Sequence, residues 1–139
     1  MGYRSTVSYI ISFENMEDRD AYVNMIRVKK EKRLNEALDE CFISTDDATI
    51  FFYVPDYKWY EGYPEVQAHT HLYKNAKSMF GDAVDYKFVR VGEEVDDIEE
   101  DSTDGDLLEN AEIYPVTTIE TPYDKDYRDV VKESDDATL

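Results

Sequence analysis

Polar and apolar residues alternate from the start of the chain. Tyr3, Val7, Tyr9, Ile11 and Phe13 fall on one face with Ser5 between them, and Arg4, Thr6, Ser8 and Ser12 fall on the other. That period of two predicts a half-buried strand. The period then lengthens. Asn15 stands where it caps a helix, and Glu17, Asp18 and Asp20 occupy a first turn whose dipole favours anions. Val23, Ile26, Leu34, Ala37 and Leu38 recur at helical spacing, which predicts one helix over about residues 16–38. A basic run from Arg27 to Arg33 lies in its middle.

Two short apolar runs follow, Cys41 to Ser44 and Thr49 to Val54, separated by Thr45-Asp46-Asp47-Ala48. They read as a hairpin whose second strand ends at Pro55. Tyr57, Trp59, Tyr60 and Tyr63 form an aromatic loop. It reads either as a lid packed on the core or as an exposed partner-binding surface, since Tyr and Trp are favoured anchors. Pro64 suits a helix start, Val66, Leu72, Tyr73, Ala76, Met79 and Phe80 continue the helical pattern, and Gly81 suits its end. Residues 83–91 alternate again, with Val84, Tyr86 and Phe88 on one side. The order β-α-β-β-α-β predicts an α+β domain over residues 1–92. Its arrangement is the ferredoxin-like split βαβ, a four-stranded antiparallel sheet with two helices on one face.

Charge divides the chain in the same place. Of the formal net charge of -18, residues 1–92 carry 15 acidic and 12 basic side chains, and residues 93–139 carry 18 acidic and 3 basic. Residues 93–112 hold 11 carboxylates and no basic group. The second part therefore reads as an acidic extension, interrupted by Ser102-Thr103-Asp104-Gly105-Asp106. Ile113 to Ile119 is a strand-like patch that Pro115 confines to a sheet edge, and Thr121 to Leu139 reads as a polar, mobile end.

Composition narrows the class. A 42% hydrophobic and 14% aromatic content supports a folded core. A single cysteine, Cys41, forms no disulfide within the chain, no apolar run reaches the ~20 residues of a membrane span, and no signal pattern opens the sequence. The expected location is the cytoplasm.

Little in the sequence carries recognisable chemistry. His69 and His71 lie two apart on a predicted helix and point away from each other, so they do not grip one metal. A calcium loop placed with Gly105 at its sixth position puts Ala111 where a bidentate Glu is required. Phosphate-binding loops and nucleophile elbows are missing. The expectation is a protein without enzymatic activity, metal or cofactor.

The same strand order serves RNA-recognition domains, whose first and third strands stack bases on aromatics. Here Phe51 and Tyr53 can face outward on the third strand, but the first offers Arg4, Thr6, Ser8, Ile10 and Ser12. Mimicry of DNA by the extension meets a spacing problem. Duplex DNA presents one charge per about 1.7 Å. The 11 carboxylates of residues 93–112 fall near 6 Å apart when extended and near 3 Å apart in a helix.

The opening Met1-Gly2-Tyr3-Arg4-Ser5 and the alternating strand behind it resemble small uncharacterised tailed-phage proteins over about a dozen residues. The resemblance implies a phage accessory protein, a class that resembles host-enzyme inhibitors and anti-defence factors in being small and acidic, and it supplies no functional residues.

The leading expectation is a protein-binding module that engages a basic, nucleic-acid-handling partner, as a phage-encoded inhibitor would and as a partial DNA mimic. The candidate contact residues are Glu93, Glu94, Asp96, Asp97, Glu99, Glu100, Asp101, Asp104 and Asp106 of the extension, with Tyr57, Trp59, Tyr60 and Tyr63 of the aromatic loop. The alternatives are a single-stranded nucleic-acid binder of RNA-recognition type and a virion or assembly component.

Overall fold

A computed structural model describes residues 2–94 and 96–108 of the chain. The expectations for residues 113–119 and 121–139 lie outside the described residues. Eight main elements follow in order: β1 (Ser5–Phe13), α1 (Met16–Lys29), α2 (Lys32–Asp39), β2 (Phe42–Ile43), β3 (Thr49–Tyr57), α3 (Pro64–Phe80), β4 (Val84–Val91) and β5 (Ile98–Ser102). Short 3₁₀ turns occupy Gly81–Ala83 and Asp106–Leu108. No helix among the described residues is long and apolar enough to cross a membrane.

The strands form one antiparallel sheet in the order β2-β3-β1-β4-β5. The expected four strands are therefore five, and the expected two helices are three. The fifth strand, Ile-Glu-Glu-Asp-Ser, carries almost no strand propensity of its own. It forms because β4 offers a pairing edge and Arg90 meets Glu99 across the pair at 2.8 Å. Thr103 closes the end. Its N–H donates to the Tyr86 carbonyl at 3.0 Å and its hydroxyl accepts from the Tyr86 N–H at 3.0 Å.

The single helix expected over residues 16–38 is broken at Lys30, which adopts a left-handed conformation (φ 57°) and ends α1. The Glu31 carboxylate then caps α2 by accepting from the Leu34 N–H at 2.7 Å. The Asn35 amide donates to the carbonyls of Ile26 and Glu31, at 3.1 and 2.8 Å, and so satisfies an orphan carbonyl at the end of α1. Pro55 does not end β3. It falls in a bulge where Pro55 and Asp56 lie between the partners of Ser5 and Val7, so its missing N–H breaks no regular pairing. The strand expected over residues 41–44 shrinks to Phe42–Ile43.

The helices cover one face of the sheet. Val7, Tyr9, Ile11 and Phe13 of β1 meet Tyr22 and Ile26 of α1, Leu38 of α2, and Val66, Leu72, Tyr73 and Ala76 of α3. A row of rings crosses the middle three strands, because Tyr9 pairs with Phe52 on one side and Phe88 on the other. Tyr73 lies over this row, 5.0 Å from Tyr9 and 5.5 Å from Phe88. Such ring pairs add about 0.5–1.5 kcal/mol beyond area burial. On the opposite face, Val89 and Val91 are buried with Ile10 and Phe51 around them. The chain beyond β5 contacts that face through the 3₁₀ turn at Asp106–Leu108.

Candidate functional site

Four expected contact residues come together. Trp59, Tyr60, Glu99 and Asp101 line one cleft of about 390 Å³, between the aromatic loop, α3 and the β4–β5 edge. The geometry follows from strand periodicity. Glu99 and Asp101 are two apart on β5 and therefore share a face, opposite Arg90 and Phe88 of β4. Trp59 is 8% exposed and forms the floor with Phe88, 6.2 Å away, and Tyr73. Glu61, Thr70, Lys74 and Arg90 complete the lining. The cleft thus joins an apolar aromatic floor to a charged rim.

The rim carboxylates are held unequally. Arg90 forks to Asp97 at 2.8 Å and Glu99 at 2.8 Å. Burial would lower the Arg90 pKa, but the hydrogen bonds it donates to Asp97 and Glu99 outweigh that and raise it. Among the described residues, the Asp101 side chain meets only Lys74, at 3.8 Å, and the Tyr86 hydroxyl, at 3.3 Å. Asp101 and Glu61 are thus the less committed acids of the rim.

The opening residues hold the acidic turn beside this cleft. The Tyr3 hydroxyl donates to Asp97 at 2.5 Å and accepts from the backbone N–H groups of Glu93 and Glu94. Hydrogen bonds from Arg90 and Tyr3 lower the Asp97 pKa, and the same bond to Asp97 raises that of Tyr3. The Tyr3 N–H donates to the Tyr60 hydroxyl at 2.7 Å, which ties the turn to the aromatic loop. A side chain at Gly92 would collide with the Asp97 carboxylate and the Tyr3 hydroxyl.

The other expected residues stand apart from the cleft. Glu93, Glu94 and Asp96 are exposed in the turn before β5, Glu100 points to the opposite sheet face, and Asp104 and Asp106 lie past the strand. Tyr57 is half-buried and reaches Glu65 at 3.5 Å, while Tyr63 is 37% exposed and meets Tyr60 edge-on. The aromatic loop is therefore divided, with Trp59 packed on the core and Tyr63 at the surface. Tyr73, Phe88, Thr70, Lys74 and Arg90 were not foreseen as site residues. The one sequence signal among them is Arg90, a charge on the inward side of an apolar strand.

Behind the cleft runs a buried polar chain. The Tyr9 hydroxyl donates to His69 Nδ1 at 2.6 Å, and His69 Nε2 donates to Glu40 at 2.7 Å. A neutral imidazole satisfies both bonds. His69 is 2% exposed and stacks on Phe52 at 4.1 Å. Its pKa is lowered by burial, which outweighs the opposing pull of Glu40 because that carboxylate is mostly in water. Burial pushes the Cys41 thiol up to about 12.

A lowered His69 pKa makes the folded state bind fewer protons than the unfolded state. Stability from this group is complete above the ordinary value of 6.5 and is lost as pH falls below it. We expect the urea midpoint to drop between about pH 7 and about pH 5, and His69→Gln to flatten that drop. A midpoint of the native chain that stays level over this interval would contradict the arrangement.

No family model, curated protein or solved structure matches this chain.

Proposed function

We propose that the chain is a non-enzymatic module that binds a basic segment of a partner protein at the Trp59 cleft. The framework is the ferredoxin-like split βαβ, and the order β2-β3-β1-β4 with antiparallel neighbours supports that assignment. The acidic segment adds a strand to it. One observation carries the functional reading: Glu99 and Asp101 meet Trp59 and Tyr60 on a single concave surface. A lysine or arginine side chain entering there finds carboxylates at the rim and ring faces on the floor, the combination that favours desolvated cations.

The carboxylates support a protein partner more than strict mimicry of DNA. Glu99, Glu100 and Asp101 advance about 3.3 Å per residue, close to the 3.4 Å rise of one DNA strand. They point alternately to opposite faces, so a flat partner meets one charge per about 6.6 Å. A nucleic-acid-handling host protein with a protruding basic loop fits this surface, as an inhibitor's target would.

The chain has one tryptophan, so its fluorescence reports the cleft. We expect a Lys/Arg-rich peptide to shift Trp59 emission at low salt and to weaken as salt rises. The pair Glu99→Gln with Asp101→Asn should lower affinity by about tenfold. The pair Glu14→Gln with Glu17→Gln changes net charge equally at exposed positions around the start of α1, and should lower it much less. Equal losses would reduce the reading to net charge alone. Capture of a single-stranded oligonucleotide, with no response to the peptide, would favour the nucleic-acid alternative.

A further inference from the structure

We propose that the corner between α1 and α2 is a docking site for the acidic strand edge of a second copy of this chain. Three local features of the corner run against the folding of the monomer. Val28 is 77% exposed, the most exposed of the large apolar side chains among the described residues. Lys30 holds a left-handed conformation that glycine would adopt without strain. Lys32 and Arg33 begin α2, where the helix dipole disfavours cations, and the Glu31 cap is the one acid set against them. Glycine at position 30, acids at 32 and 33 and a polar residue at 28 would relieve all three. Local rules broken together on one exposed surface are expected where that surface serves another purpose.

The corner is also short of partners. Lys29, Lys30 and Lys32 make no ion pair or side-chain hydrogen bond among the described residues, and Arg33 has only an exposed contact with Glu36 at 3.5 Å. Three lysines without a partner among the described residues thus stand in the same corner as one exposed valine.

The chain carries the complement. Residues 93–106 hold nine carboxylates and no base. Ile98 stands among them 41% exposed. One surface is basic with an apolar centre, and the other is acidic with an apolar centre. They do not meet within one molecule. Helix α1 lies over β1 and β3, whereas β5 lies beyond β4, and no hydrogen bond or ion pair joins the two surfaces among the described residues. Each copy presents one of each, so the contact is head-to-tail and can add further copies. It uses the acidic edge next to the Trp59 cleft, so self-association and a basic partner compete for neighbouring ground.

Sedimentation velocity tests the proposal. At about 0.02 M salt the mean mass should rise above 16.3 kDa with concentration, and at about 0.5 M salt it should return to the monomer. Lys29→Gln, Lys30→Gln and Lys32→Gln together should give a monomer. Glu94→Gln, Asp96→Asn and Glu100→Gln together should do the same. Mixed in equal amounts, the two triple variants retain one intact surface each of opposite kind and should form a dimer that grows no further. Lys30→Gly should raise the thermal midpoint while weakening association, a pairing of effects that a purely structural corner does not produce. A native chain that is monomeric at every concentration and low salt overturns the proposal. So does association that survives either triple change, or a mixture that forms no complex. An oligonucleotide captured by a monomeric native chain and lost with the lysine changes would assign the corner to a polyanion instead. A monomer that still binds the basic peptide overturns this proposal and leaves the proposed function standing.

Discussion

Arg19→Met is expected to destabilise the fold by about 2–3 kcal/mol, measured as a lowered urea midpoint at unchanged slope. Arg19 projects from α1 and is 3% exposed. Its Nη1 donates to the carbonyls of Ser44, Thr49 and Asp47, at 2.9, 2.9 and 3.2 Å. These carbonyls close the turn between β2 and β3. Methionine replaces most of the volume but none of the donors; the buried Ser44 carbonyl left alone costs about 1 kcal/mol or more, and the half-buried Thr49 and exposed Asp47 carbonyls add less. The ion pair with Asp20, at 2.9 Å, contributes little, because that carboxylate is 61% exposed. Asp20→Asn should therefore shift stability by less than about 0.5 kcal/mol. Arg19→Lys should fall between the two, since an ammonium cannot reproduce the guanidinium fork. A Met variant within about 1 kcal/mol of the native chain would mean that water replaces the guanidinium at the turn.

The contrast between Arg19 and its surroundings shows what the sequence displays and what it conceals. The alternation from Tyr3 to Phe13 named the inward face of β1 correctly, because burial on one side of a strand writes itself as period two. The spacing of Val66, Leu72, Tyr73 and Ala76 named the inward face of α3 in the same way. The break at Lys30 left no such trace. It depends on Asn35 reaching back to Ile26 and on a Glu31 cap, and neither glycine nor proline marks the place. Pro55 misled for the converse reason, since a bulge absorbed it.

Strand β5 was concealed most completely. Its pairing rests on β4, Arg90 and Thr103, which are contacts made only after folding. The site inherits that blindness. Trp59 and Tyr60 stood out by residue type, and Glu99 and Asp101 by charge. That these two acids share a face with the aromatic loop follows only once residues 98–102 are known to be a strand. Tyr73 and Phe88 read as core and are core, and they are also the floor of the cleft.

Asp85→Ala should loosen that strand and, with it, the binding of basic peptides. Asp85 is 2% exposed on the sheet face away from the helices. Its carboxylate accepts from the Thr103 hydroxyl at 2.7 Å, from Lys77 Nζ at 3.3 Å and from the Leu107 N–H at 3.4 Å. Gly105 passes so close that any side chain there would strike the carboxylate. One buried acid thus fixes the chain on the far side of β5. Its removal takes this acceptor from the Thr103 hydroxyl and the Leu107 N–H, while Lys77 keeps the carbonyls of Gly81 and Val84, and a loss of about 1–3 kcal/mol is expected. The loss should be uneven. Amide exchange should accelerate in Ile98–Ser102 far more than in β1, because β5 depends on this anchor and β1 is held on both sides. Thr103→Val should give a milder version, near 1 kcal/mol. The binding measurement then separates two explanations of the acidic segment. If charge density alone drew the partner, a loosened strand would bind as well as before, since only Asp85 is lost and the other carboxylates become more accessible. If Glu99 and Asp101 act because β5 holds them beside Trp59, affinity for the basic peptide should fall as far as it does in the Glu99→Gln, Asp101→Asn pair. Rapid exchange in β5 with undiminished affinity would refute the placed-charge account.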